Sequence, residues 1–482
     1  MYLIVTVYPK TKFNYDYRED VTMSEQVIIR ADFLKPTGNR IKPMHGVGQP
    51  PFYGLKCTYF HYLEEAGIPY SRLHDVGGWF GGNMYVDVPN IFRNFDADVN
   101  DPASYDFDFT DILIKGLYEY GVQPIYRLGI TIENFAKIHA YRVYPPKDFQ
   151  KWAEICEHIV RHYNEGWANG FHFGIQFWEI WNEPDCDYRE NRPSATWQGT
   201  REQFFSLYET ASKHLRACFG DSIKIGGPAS TGFNPFMTYD PDLEGVDPQY
   251  AHRDNQPAYR IDWAHKFLKY VKDTGSPLDF FTWHGYSYDE KGPEVLLNSA
   301  DYCRRLLNKY GFENVPDHLN EWSVACDNNH QRSTLKAASQ TFAVLLGMQK
   351  KSPSVLCYYD ARIGPSLYGG MFNPDTHYPY PTYYGFKAFN TAYKLGNEVE
   401  NDCDTNGIYL CAARNDTKGV LLIANTNPQP VELEFDVAGA DMSKGEVIIT
   451  DDEYRYTLVG EIIKNNKLKV KAYSCIEIRL PL

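Results

Sequence analysis

Two stretches of the chain, Trp181-Asn182-Glu183-Pro184 and Leu319-Asn320-Glu321-Trp322, place a carboxylate directly after an asparagine and beside a tryptophan. Each follows a short apolar run. A lone glutamate in such a place is commonly a salt-bridge partner, but two with matching neighbourhoods, far apart in the chain, suggest a shared task. Two carboxyl groups about 5–5.5 Å apart can divide the work of acetal cleavage. One attacks the anomeric carbon and the other protonates the departing oxygen. The protonated member must keep its proton near neutral pH, which a neighbouring carboxylate favours by raising its pKa.

Such a pair needs elements that bring distant segments to one place. Apolar runs rich in β-branched and aromatic residues recur at 43–48, 70–75, 123–129, 177–183, 224–230, 279–287, 317–323 and 354–362. Segments of helical period lie between them, the clearest at 147–166, where Trp152, Ile155, Ile159, Val160 and Tyr163 share one face behind Pro145-Pro146. The other helical segments cover about 54–66, 110–121, 201–219, 258–274, 294–310, 335–350 and 383–395. Strand then helix, eight times over, predicts an α/β fold of the (β/α)8 barrel type. A doubly wound sheet competes, but it gives no reason for polar residues to finish nearly every strand. In a barrel the reacting groups lie where strands end. Those ends carry His45, Arg72, His74, Asp75, Arg127, Asn182, Glu183, His284, Tyr286, Asn320, Glu321, Asp360 and Arg362.

The texture changes after about residue 395. Short alternating strands such as 419–426, 431–437, 445–450 and 467–473, separated by turn residues, predict an accessory β-sandwich over 396–482. Residues 1–40, with LIVTVY and VIIRADF, are strand-like and are expected to join it, leaving 41–395 for the catalytic barrel. The sandwich is expected to serve as a buttress, with carbohydrate binding as the alternative.

Composition narrows the partners. With 62 acidic against 48 basic residues the net charge is −14, which disfavours nucleic acid, and no apolar stretch is long enough to span a membrane. The 38 Tyr, 28 Phe and 9 Trp suit stacking on the flat faces of sugars. The ten cysteines form no CxxC and no cluster of metal-ligand spacing, so neither a metal nor any other cofactor is expected. The start MYLIVTVYPK has no basic lead and no small-residue cleavage site, which points to a cytoplasmic protein.

The runs FWEIWNEPD (177–185), LYETASKHLRA (207–217) and IGGPAS (225–230) resemble glycoside hydrolase family 39, the clan A family of β-xylosidases and α-L-iduronidases. The Arg72-x-His74 strand end, LDFFTWHGYS (278–287) and HLNEWS (318–323) extend the likeness over about 41–395. The resemblance implies that Glu183 is the acid/base and Glu321 the nucleophile. It further implies that Asn182 binds the sugar 2-hydroxyl, that Arg72 orients the nucleophile, and that Tyr286 bonds near it. His74, His284 and His45 would contact hydroxyls, and Trp322 and Phe372 are candidate stacking platforms.

Two places depart from the family. The third strand ends in Tyr126 and Arg127, where members commonly place a carboxylate, and the eighth ends in Tyr359-Asp360-Ala361-Arg362. Arg127 or Arg362 could pair with a uronate carboxylate, though a solvated or Asp-paired arginine is the plainer reading. The expectation is a retaining, exo-acting, β-xylosidase-like enzyme acting on a glycoside or oligosaccharide, with homo-oligomerisation open. Its rivals are a glycosidase for galactose, arabinose or a uronic acid, and a catalytically silent carbohydrate-binding barrel.

Overall fold

A computed structural model describes residues 26–51, 58–74, 86–131, 143–186, 196–233, 256–287, 292–324, 331–363 and 368–482. The first long strand, β1 (Gln26–Arg40), precedes eight short parallel strands. These are β2 (Gly46–Gly48), β3 (Tyr70–Leu73), β4 (Gln123–Leu128), β5 (Phe177–Ile180), β6 (Lys224–Ser230), β7 (Phe280–Tyr286), β8 (Asp317–Ser323) and β9 (Val355–Tyr358). They close into a barrel, β2 pairing with both β3 and β9, so all eight apolar runs read from the sequence are barrel strands.

Helices follow the strands: α1 (His61–Glu65), α2 (Val88–Ile91), α3 (Asp108–Glu119), α4 (Phe149–Asn164), α5 (Arg201–Phe219), α6 (Gln256–Thr274), α7 (Glu294–Lys309), α8 (Leu335–Met348) and α9 (Pro381–Leu395). Their starts are written in local chemistry. Asp148 accepts from the Lys151 N–H at 3.1 Å, and Thr200 with Gln203 forms a reciprocal capping box on α5. The expected stripe on α4 is buried, from Trp152 to Tyr163.

The strands β10 (Asn397–Asp402), β11 (Ile408–Arg414), β12 (Lys418–Asn425), β13 (Val431–Ala438), β14 (Glu446–Thr450), β15 (Thr457–Gly460), β16 (Lys467–Val470) and β17 (Ser474–Pro481) join β1 in a nine-stranded curled sheet, the accessory sandwich. β1 lies between β10 and β13, antiparallel to the first and parallel to the second. The expectation that VIIRADF pairs with the C-terminal strands therefore has its counterpart here, while LIVTVY lies outside the described residues. β12 explains its unbroken apolar run by being covered on both faces. Val420, Leu422 and Ala424 pack toward the barrel side, and Leu421 and Ile423 fill the sandwich interior. No helix among the described residues is long and apolar enough to cross a membrane.

Candidate active site

Residues that alternate inward along the barrel strands form two layers. The lower one is apolar, with Ile125, Val355 and Cys357 packed by Tyr70 and Phe177. Above it, Arg72 on β3 is 1% exposed and spends its whole guanidinium on three partners. Its Nε donates to Glu179 at 2.7 Å, Nη1 to Glu321 at 3.0 Å and Nη2 to Asn182 at 2.6 Å. Asn320 Nδ2 donates to the other oxygen of Glu179 at 2.5 Å.

Two backbone irregularities aim the glutamates. After β5, Trp181 (φ 75°) and Glu183 (φ 45°) take left-handed conformations, ending the strand alternation so that Asn182 and Glu183 both face the barrel mouth. Such a conformation costs a non-glycine residue on the order of 1–3 kcal/mol. The surroundings hold it in place: Glu183 N–H donates to Ala229 at 2.8 Å and its carbonyl accepts from Thr196 Oγ1 at 2.6 Å. On β8 the register against β7 jumps from Trp283–Leu319 to His284–Glu321. This bulge lets the consecutive Asn320 and Glu321 both point inward.

His284 Nδ1 lies 2.7 Å from Glu183 Oε1 and 3.6 Å from Glu321 Oε2. Through it the two carboxylates meet, and one atom from each of the three side chains lies within 4.8 Å of the others. Tyr286 Oη donates to Glu321 Oε1, and His74 Nε2 is 4.0 Å from Glu321 Oε2. Burial pushes the Glu183 carboxyl up to about 7, with Asp185 adding to the rise and Arg260 and Arg72 opposing it. Burial raises Glu321 as well, with Glu183 adding to the rise and Arg72 and the Tyr286 hydroxyl opposing it. We assign the shared proton to Glu183, because Arg72 and Tyr286 donate directly to Glu321. His284 is kept neutral down to about 4 by burial.

Buried polar atoms in this cluster with no hydrogen-bond partner among the described residues include Asn182 Nδ2, His284 Nε2 and Asn320 Oδ1. Buried polar groups are nearly always paired. Orphans beside two carboxylates are what a polyhydroxylated ligand would satisfy. The Glu183–His284–Glu321 set is also of metal-ligand type, although the Arg72 cation at Glu321 works against a bound cation.

Of the residues singled out in the sequence, Glu183, Glu321, Asn182, Arg72, His74, His284 and Tyr286 converge here. Two others do not. His45 packs its ring on Phe389 and Tyr393 of α9, facing the helical layer and not the mouth, because it precedes β2. Trp322 falls on the outward parity of β8, fully buried and edge-on to Tyr358, so it offers no face to a sugar. Phe372 is likewise packed between Tyr62 and Tyr383. Arg362 Nη2 lies 3.8 Å from Asp360, and Asp75 lies outside the described residues. Arg127 is paired with Asp87 at 2.6 Å and is fully buried, not solvated.

Glu179 was the residue overlooked. Its signal was present in Trp178-Glu179-Ile180: a charge amid an apolar strand is buried and must have a partner. Burial works to raise its pKa, yet Arg72, Thr282 and Asn320 outweigh that and hold it below the ordinary value. Asp185, held by Ser230 Oγ at 2.6 Å and by Thr231 N at 2.9 Å, is a second.

A closed eight-stranded barrel with two such glutamates, one just past β5 and one on β8, is the architecture of a glycoside hydrolase, and the profile of glycosyl hydrolases family 39 matches residues 54–355. The chain belongs to that family. It is 26% identical over 233 residues to a β-xylosidase of Caldicellulosiruptor saccharolyticus, covering 47% of this chain and 38% of that protein. To a β-xylosidase of Geobacillus stearothermophilus it is 22% identical over 384 residues, covering 72% of this chain and 66% of that one. The matches thus span less than two thirds of either relative. In structure it is similar to a glucosidase from Croceicoccus marinus, with a TM-score of 0.73, 18% identity, and coverage of 95% of this chain and 99% of the other.

Proposed function

We propose that the protein is a retaining, exo-acting glycoside hydrolase, β-xylosidase-like, that takes a terminal non-reducing sugar from a glycoside or oligosaccharide. The observation that carries this reading is the meeting of Glu183 and Glu321 around His284, with ligand atoms within 4.8 Å. Carboxylates brought this close suit direct attack by one of them, whereas inversion needs a wider pair with room for a water between sugar and base.

In this reading Glu321, kept ionised by Arg72 and Tyr286, attacks the anomeric carbon while Glu183 gives its proton to the leaving oxygen. The glycosyl–Glu321 ester then forms. Glu183, now a carboxylate, takes a proton from water as the water attacks the same carbon, which frees Glu321 and restores the starting configuration. Asn182 Nδ2 is available for the 2-hydroxyl, a contact that strengthens as charge develops in the transition state. Glu179 positions Arg72, which in turn positions both Asn182 and Glu321. The β-xyloside preference and exo action rest on the names of the two sequence relatives.

One observation favours a second reading, a uronide as substrate. Arg127 points into the lumen at the end of β4, and its Nε and Nη1 have no partner among the described residues. It and Arg362 both act on His74, helping burial to hold that imidazole well below its usual range. Neutral pentosides remain the expected better substrates, since Asp87 already neutralises Arg127. A panel of aryl glycosides, with the first-formed sugar followed by NMR, tests both readings. A β-product from an aryl β-xyloside supports the first; an inverted product overturns the retaining mechanism; a uronide with the highest kcat/KM overturns the sugar.

A further inference from the structure

On the outer wall of the barrel, α4 and α5 pack side by side and bring three different ligand types together. Glu157 on α4 faces His214 and Cys218, which lie one turn apart on the same face of α5. His214 Nε2 is 2.6 Å from Glu157 Oε2, and Cys218 Sγ is 3.6 Å from His214 Nε2. All three ligand atoms lie within 4.8 Å of one another, and each residue is only partly buried. We propose that Glu157, His214 and Cys218 form a site for zinc or another thiophilic divalent cation that ties α4 to α5.

The geometry suits that ion. Tetrahedral zinc bonds of about 2.3 Å to sulfur and 2.0–2.1 Å to nitrogen set those two ligands about 3.6 Å apart, which is the Cys218–His214 separation already present. The His214–Glu157 contact must widen from 2.6 Å to about 3.3 Å for ligands at 2.0–2.1 Å, and rotation of the carboxylate supplies this. Charge balances too: a thiolate and a carboxylate neutralise a dication, so Arg161, which donates to the other Glu157 oxygen at 2.7 Å, keeps its second partner Glu165. Gln150 sits 3.1 Å from His214 Nδ1 and also donates to Glu154 at 3.2 Å. On binding, the imidazole proton moves from Nε2 to Nδ1, where the turned-over Gln150 amide oxygen accepts it. The Cys218 proton leaves for solvent. Because the thiolate is the ligand, binding releases this proton and should tighten as pH rises.

The test uses the full chain, first stripped with a chelator and then titrated with Co2+. One equivalent should produce a near-ultraviolet thiolate-to-cobalt charge-transfer band that Zn2+ abolishes by displacement. Cys218→Ser should lose the band and His214→Ala should weaken binding at least tenfold. The carboxylate–imidazole set at the mouth has one thiol beside it, Cys186 at Glu183, which Cys218→Ser leaves in place, so loss of the band in that variant assigns it to Cys218. In the unaltered chain, Zn2+ should protect Cys218 from iodoacetamide, read by peptide mass spectrometry. No charge-transfer band, a band that persists in Cys218→Ser, or Cys218 alkylated at the same rate with and without Zn2+ would each overturn the proposal.

Discussion

The two layers of the barrel lumen are built on the same strands and the same inward parity, yet their contents are opposite. Below, Ile125, Val355 and Cys357 pack with the rings of Tyr70 and Phe177 in an apolar cluster, with the buried His318 ring against Phe177. Above, Arg72, Glu179, Asn182, Asn320, His284 and Glu321 share a network with almost no solvent exposure. Burying apolar surface stabilises by about 25 cal/mol per Å². A buried ion network rarely gains as much, because desolvation consumes the Coulomb energy. The lower layer therefore contributes to folding, and the upper layer is held in position by the rest of the barrel for the sake of its chemistry.

Substitutions in the two layers should accordingly separate. The largest effect is expected from Glu321→Ala, which removes the group proposed to bond to the anomeric carbon. Turnover should fall on the order of 10⁵-fold for every leaving group. The melting temperature should change little, since Arg72 keeps Glu179 and Asn182 as partners. A large drop in melting temperature would show that the upper layer is structural after all.

Next comes Glu183→Ala, expected to lose roughly 10²–10⁴-fold on a poor leaving group. An activated phenol departs without protonation, so the variant should still form the glycosyl–Glu321 ester and then stall. Azide needs no base and fits the space left, so it should speed turnover and yield a glycosyl azide of the substrate's own configuration. An inverted azide product would exchange the roles of the two glutamates.

In the lower layer, Ile125→Ala should cost about 2–5 kcal/mol of stability through the cavity it leaves. Measured well below the melting temperature, kcat/KM should stay within about threefold of wild type. Denaturant unfolding beside kinetics reads both. Loss of activity without loss of stability would erase the distinction between the layers.

How much of this was legible beforehand follows the same division. Strand ends and the two Asn-Glu pairs are local features, so the eight strands, the helical stripe on α4 and both glutamates could be read directly. Parity near a bulge is not local. Trp322 adjoins Glu321, yet the register jump on β8 that turns Asn320 and Glu321 inward also sends Trp322 out to Tyr358, and no pattern in Leu319–Ser323 announces it. His45 failed for a related reason: it stands before β2, at the entry of its strand, where a residue meets the surrounding helices. Glu179 was visible as a charge in an apolar strand, but its partner Arg72 lies 107 residues away, a pairing only closure of the barrel creates.

The smallest effect expected is also the one that reads the upper layer most directly. Burial lifts Glu183 to about 7 from an ordinary value of 4.5, so the acid needed for leaving-group protonation is lost as pH rises through 7. For a poor leaving group, kcat/KM should fall about tenfold per pH unit above that point. The sign for stability is fixed by the same shift. The folded state holds this proton more tightly than the unfolded chain, so the stabilisation is complete below about 4.5 and is lost as pH rises through 7. Glu183→Gln cannot ionise. It should therefore show no basic limb for formation of the glycosyl ester on an activated aryl glycoside, and its melting temperature relative to wild type should rise between pH 5 and pH 8. A wild-type basic limb that Glu183→Gln retains would move the titrating group elsewhere, and Arg72, His284 and Tyr286 would then have to be tested in turn around Glu321.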